Sequence, residues 1–247
     1  MEFAMENHSG SRFIACAAVL AALCSFAAPE GGAACGACAP VSVSFARGKW
    51  NPADFTVVKT PRLSYIGVFD QLDDAIVNRC PDVSPKEVFE RHNDKVYSAI
   101  LHKDTFGPGT TVSSTMAFDW RMAPIVVLAE TLGESAAGEP EFRAHWEVCL
   151  YDRGINLWRH LYEDGRQKWY KAACILLPES AWFKPCEKHE LKVKLSRNRR
   201  GLKELSVSCG GYSFTHVDET LPDTFRAGVI GCEGRNFFYD FRVEPTR

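Results

Sequence analysis

Residues 145–171, HWEVCLYDRGINLWRHLYEDGRQKWYK, constrain the fold more than any other stretch of the chain. Apolar and polar side chains alternate over 145–152 and 155–162, and many are aromatic or β-branched, which is typical of half-buried strands. Asp152-Arg153-Gly154 marks the first turn, and Asp164-Gly165 favours a two-residue hairpin because both of its positions need positive φ. The stretch therefore predicts a three-stranded antiparallel meander.

The pairing register of this meander decides which side chains share a face, because a slip of one residue exchanges the two faces. With two-residue turns at Arg153-Gly154 and Asp164-Gly165, Glu147 is expected opposite His160, and Trp169 follows in the same row. The expected inner face holds Trp146, Leu150, Leu157, Leu161 and Ala172, with Arg159 and Lys168 as poor fits. The expected outer face holds Glu147, Cys149, Tyr151, Asn156, Trp158, His160, Trp169 and Lys171.

The outer face combines aromatic rings with charged and amide groups, which is typical of sugar-binding surfaces. Sugars present C–H faces that stack on rings, and hydroxyls that need hydrogen-bond donors and acceptors. We therefore interpret five of these residues as candidate substrate-binding residues: Tyr151, Asn156, Trp158, Trp169 and Lys171. The alternative is a half-exposed sheet face, or one that a second layer covers.

Glu147 and His160 are the candidate catalytic residues of this surface. A carboxylate that holds an imidazole raises the imidazole pKa and makes a general base. The alternative is a cross-strand ion pair that supports the sheet. No cofactor is predicted. Asp240 is a candidate ligand for a structural calcium ion. Because calcium takes about six to eight oxygen ligands, a capping or turn role is favoured for Asp240, and no metal ligand is assigned.

The apolar run at residues 13–28 follows Arg12 and is shorter than the roughly 20 residues that a membrane-spanning helix needs. Ser25-Phe26-Ala27 has the small-x-small form of a signal-peptidase site, so residues 1–27 are expected to be an export signal. The mature protein would be secreted or periplasmic, without stable membrane insertion. The net charge of −2 and pI near 6.4 give no overall attraction to nucleic acid.

Eight of the ten cysteines lie beyond that run, and an even number in an exported chain permits disulfides. The candidate pairs are Cys174–Cys186 and Cys209–Cys232. The alternative is that strand cysteines act as small hydrophobic residues. Cys35 and Cys38 form a C-x-x-C without the strand and helix context of a redox motif.

The remaining sequence predicts an all-β domain. Residues 28–41 form a small-residue linker, and some dozen strands follow from residue 42 to residue 247, one of them at 62–70. One short helix is expected after Ser84-Pro85, where Ser is a helix cap and Pro favours the first turn. Strands at this spacing, without interleaved helices, predict a two-sheet antiparallel sandwich or jelly roll.

The last hundred residues, with HELKVKLSRNRRGLKELSVSCGGYSF and LPDTFRAGVIGCEGRNFFYDFRV, resemble the end of concanavalin A-like lectin and glucanase domains, including laminin-G-like modules. The resemblance covers roughly residues 42–247. It implies two antiparallel sheets, one with a concave face, in a superfamily of lectins, hydrolases, lyases and adhesion modules. Glucanase members carry Glu-x-Asp-x-Glu on one strand, whereas here Glu147 is the single carboxylate of the matching segment.

The sequence is compatible with three functions. The first is an exported protein that binds an oligo- or polysaccharide on the concave sheet face. The second is a glycoside hydrolase or polysaccharide lyase of the same fold, with Glu130 or Glu233 as a second carboxylate of a hydrolase. The third is a structural or adhesion module without a small ligand.

Overall fold

The computed structural model describes residues 39–79, 97–119 and 123–245. Within them the chain is almost entirely β-structure, with two 3-10 helices of three residues each at Pro52–Asp54 and Glu179–Ala181. None of the helices in these residues has the length and apolar character to cross a membrane. The expected export signal, most of the linker and the helix after Ser84 lie outside the described residues.

Sixteen strands are present in the described part of the chain. Their bounds are β1 Val41–Ser44, β2 Phe55–Val57, β3 Val68–Gln71, β4 Ile76–Arg79, β5 Tyr97–His102, β6 Thr110–Phe118, β7 Pro124–Glu134, β8 Pro140–Tyr151, β9 Gly154–Glu163, β10 Arg166–Leu176, β11 His189–Arg197, β12 Lys203–Cys209, β13 Tyr212–Val217, β14 Arg226–Cys232, β15 Asn236–Phe238 and β16 Asp240–Pro245.

The strands form two antiparallel sheets, which confirms the predicted sandwich. Sheet 1 has the order β13-β12-β11-β6-β15-β4-β3, with β16 also paired to β6 and β1 paired to β16. Sheet 2 has the order β10-β9-β8-β7-β14-β5-β2. The predicted meander is therefore one end of sheet 2, and β10 is its edge strand.

The main core fills the space between the sheets. The meander contributes alternate residues to it, so Trp146, Leu150, Ile155 and Leu157 are fully buried. Arg159 also points inward, where its Nη2 donates to Glu130 Oε2 at 2.7 Å and its guanidinium lies 4.9 Å from the Trp146 ring. A charged side chain is unexpected on the inner face, and the Glu130 carboxylate and the Trp146 ring stabilise Arg159 there.

A second apolar cluster lies on the outer face of sheet 2. It joins residues of five strands to Val58 and Leu63, which belong to the segment between β2 and β3. The strand predicted at 62–70 is therefore wrong over 62–67; only Val68 to Gln71 pairs as a strand. Residues 58–67, called the covering segment below, instead lie over the outer face and reach β10, where Thr60 contacts Gln167 and Arg62 contacts Trp169.

The cysteine pairs considered from the sequence are absent from the described residues. Cys149, Cys174, Cys186, Cys209 and Cys232 are all free thiols. Cys209 lies in the core between the sheets, whereas Cys232 packs with the cluster on the outer face of sheet 2. Sheet 2 lies between these two thiols, so they cannot form a disulfide in this fold.

Candidate functional site

Three strands of the meander line a cavity of about 300 Å³ on the outer face of sheet 2. Six of the seven residues predicted for the site line it: Glu147, Tyr151, Asn156, Trp158, His160 and Trp169. The seventh, Lys171, places its Nζ 5.3 Å from the Trp158 ring centroid. The structure therefore brings the candidate residues together on the outer face, as the alternation predicts.

The predicted register of the first hairpin is wrong by two residues. Glu147 pairs with Trp158 rather than with His160, and His160 pairs with His145, because Asp152 and Arg153 form the turn. A shift of two keeps every side chain on its face. The second hairpin has the predicted pairs, such as Trp169 with His160, up to a bulge at Ala172.

Glu147 is the centre of a buried polar cluster. The Tyr97 hydroxyl donates to its Oε1 at 2.8 Å, and His145 Nε2 lies 3.1 Å from the same oxygen. His160 Nε2 lies 3.2 Å from Oε2. All four residues are at most 5% exposed. The contact between Glu147 and His160 is thus diagonal across the two strands, although the predicted pairing was direct.

These contacts assign the hydrogens of the cluster. An ionised carboxylate only accepts hydrogen bonds, so His160 carries a proton on Nε2 and donates it to Glu147, while its Nδ1 lies 3.4 Å from Gln167 Nε2. His145 donates from Nε2 in the same way, and its Nδ1 has no partner in the described residues. Both ring nitrogens of His160 are therefore engaged, and both oxygens of Glu147 accept hydrogen bonds.

The pKa shifts agree with this assignment. Burial raises the pKa of a carboxyl group, but the His160 and His145 imidazoles outweigh burial and hold the pKa of Glu147 well below its ordinary value. Burial lowers the pKa of His145 to about 4, against the effect of its hydrogen bond to Glu147. Burial and the Glu147 charge raise the pKa of Tyr97 well above its ordinary value. At neutral pH, Glu147 is ionised and His145 is neutral.

His145, Glu147 and His160 have the composition of a metal site, with ligand atoms within 4.8 Å of one another. The two imidazoles are stacked, with centroids 4.4 Å apart and planes at 12°. The Nε2 atoms of both rings face the Glu147 carboxylate, at 3.1 Å for His145 and 3.2 Å for His160. The geometry is therefore that of a hydrogen-bonded cluster. Asp240, considered for calcium, uses both oxygens to accept from Thr115 and Arg242.

Two indole rings form the aromatic walls of the cavity. Trp169 is 49% exposed and stacks on His160 at 6.3 Å. Arg62, from the covering segment, lies 5.4 Å from the Trp169 ring centroid and also 5.4 Å from that of Tyr97. Thr60 of the same segment contacts Gln167 at 3.3 Å. The covering segment thus supplies a cation and one wall of the site.

Glu233 adds a second carboxylate to the lining of the cavity. Its φ of 58° lies in the left-handed region, which non-glycine residues rarely adopt. The side chain of Asn236 donates to the Cys232 and Glu233 carbonyls, and that of Asn78 donates to the Gly234 carbonyl. The strained turn is therefore held by two buried amides and keeps Glu233 in the lining of the cavity.

Three residues of the site were missed by sequence reasoning. His145 carried a signal, because it precedes Glu147 by two positions and must share its face. Tyr97 and Arg62 carried none, since they come from β5 and from the covering segment. Tyr97 lies three strands from Glu147, so the hydrogen bond between them requires sheet 2 to curve strongly around its outer face.

Comparison with known proteins finds similarity in structure and none in sequence. No protein-family model matches the chain, and no curated protein matches it. The carbohydrate binding module CBM66 from Bacillus subtilis is 11% identical, with a TM-score of 0.51, over 77% of this chain and 95% of that chain. The potassium-bound Emp46p carbohydrate recognition domain is 9% identical, with a TM-score of 0.54, over 83% and 97%.

The exoplasmic/lumenal domain of VIP36, in its Ca²⁺/Man3GlcNAc-bound form, is 9% identical with a TM-score of 0.51, over 83% of this chain and 88% of that chain. Likeness at this level of identity establishes the fold alone. The chain has a two-sheet β-sandwich fold similar to that of these three domains, which is the fold that the sequence resemblance implied.

Proposed function

We propose that the chain is an exported carbohydrate-binding protein that engages a glycan in the cavity on the outer face of sheet 2. The observation that carries this proposal is the pair of tryptophans, Trp158 and Trp169, in one cavity with amide, phenol and charged groups. Such a cavity offers stacking surfaces for sugar C–H groups and several partners for hydroxyls.

A glycan array followed by titration calorimetry tests the proposal. Trp169→Ala removes an exposed ring from the cavity and should weaken binding of the best array hit by about tenfold or more, as loss of a central aromatic contact does. Tyr170→Ala is the matched control, because Tyr170 is 48% exposed on the opposite face of the same strand. Equal affinity in both variants would place the glycan elsewhere.

The second candidate function is a glycan-cleaving enzyme of the same fold. Two carboxylates, Glu147 and Glu233, line one cavity, and Tyr97 with two histidines surrounds Glu147. These features favour acid–base chemistry, with Glu147 and His160 as the catalytic residues. Binding is the first proposal because both oxygens of Glu147 and both nitrogens of His160 are already engaged, so catalysis requires them to change partners.

Release of reducing sugar, or of unsaturated product, from the array hits separates the two candidates. In an enzyme, Glu147→Gln should lower turnover by roughly 10²–10⁴ with little change in substrate affinity. In a binding protein there is no turnover in the wild type. Full turnover in both Glu147→Gln and His160→Ala would remove these residues from the catalytic roles.

Export to the periplasm or medium is part of the same proposal. It is supported by the apolar run before Ala28 and the Ser25-Phe26-Ala27 site. N-terminal sequencing of the mature protein should begin near Ala28. An intact Met1 or Met5 on the cytoplasmic protein would contradict export.

A further inference from the structure

The two tryptophans of the cavity are each covered by a cation. Lys171 Nζ lies 5.3 Å from the Trp158 centroid, and Arg62 Cζ lies 5.4 Å from the Trp169 centroid. A cation over an indole face is held by the ring quadrupole. A sugar that stacks on either ring must therefore share the ring with the cation or displace it.

The Glu147 carboxylate forms no direct ion pair with Lys171 or Arg62 in the described structure. Tyr97, His145 and His160 all donate to its two oxygens, and the group is 5% exposed. Lys171 and Arg62 are both exposed. Among the described residues, Lys171 forms no ion pair with a carboxylate. A ligand that enters the cavity thus meets two cations, Arg62 in the lining and Lys171 beside Trp158, together with the carboxylates of Glu147 and Glu233.

A neutral sugar and an acidic sugar differ in what they do to these cations. A neutral ring gains stacking but loses the cation–π contact that it displaces. An acidic group on the ring accepts charge-assisted hydrogen bonds from the same cations, which are about twice as strong as neutral hydrogen bonds. The cations then remain near the indoles, and the ring can stack beside them.

We propose that the cavity selects an acidic glycan, whose carboxylate or sulfate groups bind Lys171 and Arg62 while its sugar rings contact Trp158 and Trp169. This inference rests on the proposed function, which it deepens by naming the ligand class. Lys171 and Arg62 determine specificity, and Glu233 opposes it by repulsion.

The test uses an array of matched oligosaccharides, each neutral glycan beside its uronic acid and beside its sulfate ester. Wild-type protein should bind acidic members at least tenfold more tightly than their neutral counterparts. Because exposed charges are screened by salt, this preference should shrink as ionic strength rises. Preference for the uronate arm or for the sulfate arm identifies the source of the acidic group, and either supports the proposal.

Variants assign the preference to the named residues. Lys171→Met and Arg62→Met should each reduce affinity for acidic members by about tenfold and leave neutral members within about twofold. Lys171→Arg keeps the charge and should keep the preference. Lys188→Met is the matched control, because its Nζ lies 3.6 Å from the Tyr239 ring, outside this cavity. Glu233→Gln should strengthen binding of acidic members.

The outcomes separate this inference from the function on which it rests. Equal binding of neutral and acidic members overturns the acidic ligand class and leaves glycan binding in place. An equal loss of neutral and acidic binding in Lys171→Met, with the fold intact by circular dichroism, also overturns it, because the lysine then only supports Trp158. If the wild type binds no member of the array, the proposed function itself fails.

Discussion

At the scale of the residue, the buried carboxylate of Glu147 dominates the energetics of the site. An ionised group in an apolar cavity is stable only if donors replace its lost hydration. Tyr97, His145 and His160 are those donors. The same contacts that make the group acceptable in the interior also occupy the lone pairs that a substrate would need.

Replacement of Glu147 by Gln should therefore reduce stability. Glutamine keeps the shape, but its NH₂ group faces donors, and one of the three hydrogen bonds is lost. Leaving a buried donor unsatisfied costs about 1–3 kcal/mol. Urea unfolding of Glu147→Gln at neutral pH measures the change, and an unchanged unfolding midpoint would contradict the described cluster.

His145 makes stability depend on pH. Its pKa is lowered from 6.5 to about 4 in the folded chain, chiefly by burial. Below pH 6.5 the unfolded chain takes up a proton that the folded chain does not, so stability is full above that pH and falls as pH decreases toward 4. The loss reaches up to about 3 kcal/mol.

His145→Gln keeps a donor to Glu147 but does not titrate. Its free energy of unfolding should therefore decline less than that of the wild type between pH 7 and pH 5. A smaller decline remains, because burial also lowers the pKa of His189. Urea titration at each pH measures this free energy. An equal decline in wild type and variant would contradict the lowered pKa, because folded His145 would then take up its proton as readily as the unfolded residue does.

At the scale of the element, the meander depends on its turns and its alternation. Asp164 and Gly165 have φ of 53° and 74°, and Gly154 has φ of 149°. A Cβ on Gly165 would meet nothing within 4 Å, whereas a Cβ on Gly154 would lie 2.0 Å from the Ile175 carbonyl oxygen. Gly165 is needed for its backbone conformation alone. Gly154 is needed both for its conformation and for the close approach of β10.

Alanine substitutions should separate these two demands. Gly165→Ala should cost about 1–2 kcal/mol, the penalty of a left-handed conformation for an L-residue. Gly154→Ala should cost more, because the backbone of β10 must move. Thermal unfolding of both variants measures the order, and a Gly154→Ala variant as stable as Gly165→Ala would contradict the described approach.

Neighbouring residues on β9 should respond oppositely to truncation. Leu157 is fully buried between the sheets, so Leu157→Ala should cost about 2–5 kcal/mol and leave glycan affinity of the folded fraction unchanged. Trp158→Ala should weaken glycan binding with a smaller loss of stability. Calorimetric titration and urea unfolding of both variants provide the comparison; the reverse pattern would mean that the faces of β9 are exchanged.

At the scale of the whole molecule, local sequence pattern predicts the strands but not the course of the non-strand segments that lie over the sheets. The alternation of residues 145–171 was enough to predict which side chains share a face, since a two-residue error in register leaves faces unchanged. Local pattern predicts a strand over 62–67 because β-branched and aromatic residues there, such as Ile66, favour strands. The course of the covering segment over sheet 2, which places Arg62 on Trp169, depends on long-range contacts that no local pattern contains.

The free cysteines give a prediction for the whole described fold. Cys174 and Cys186 are exposed, whereas Cys149 and Cys209 are buried, and burial raises the pKa of the Cys209 thiol to about 12. A thiol reagent at neutral pH should modify the exposed pair quickly and the buried pair only after unfolding. Peptide mapping by mass spectrometry distinguishes them, and a disulfide between Cys174 and Cys186 would contradict the described state.

The alternation along β9 and β10 also has an evolutionary consequence. Trp158, Trp169 and Lys171 share their strands with core residues but do not enter the interior between the sheets. Substitutions at these three positions can therefore change what the hairpin recognises while the same scaffold is inherited. A library randomised at these three codons, displayed on the unchanged sandwich, is a direct route to binding proteins with new ligands.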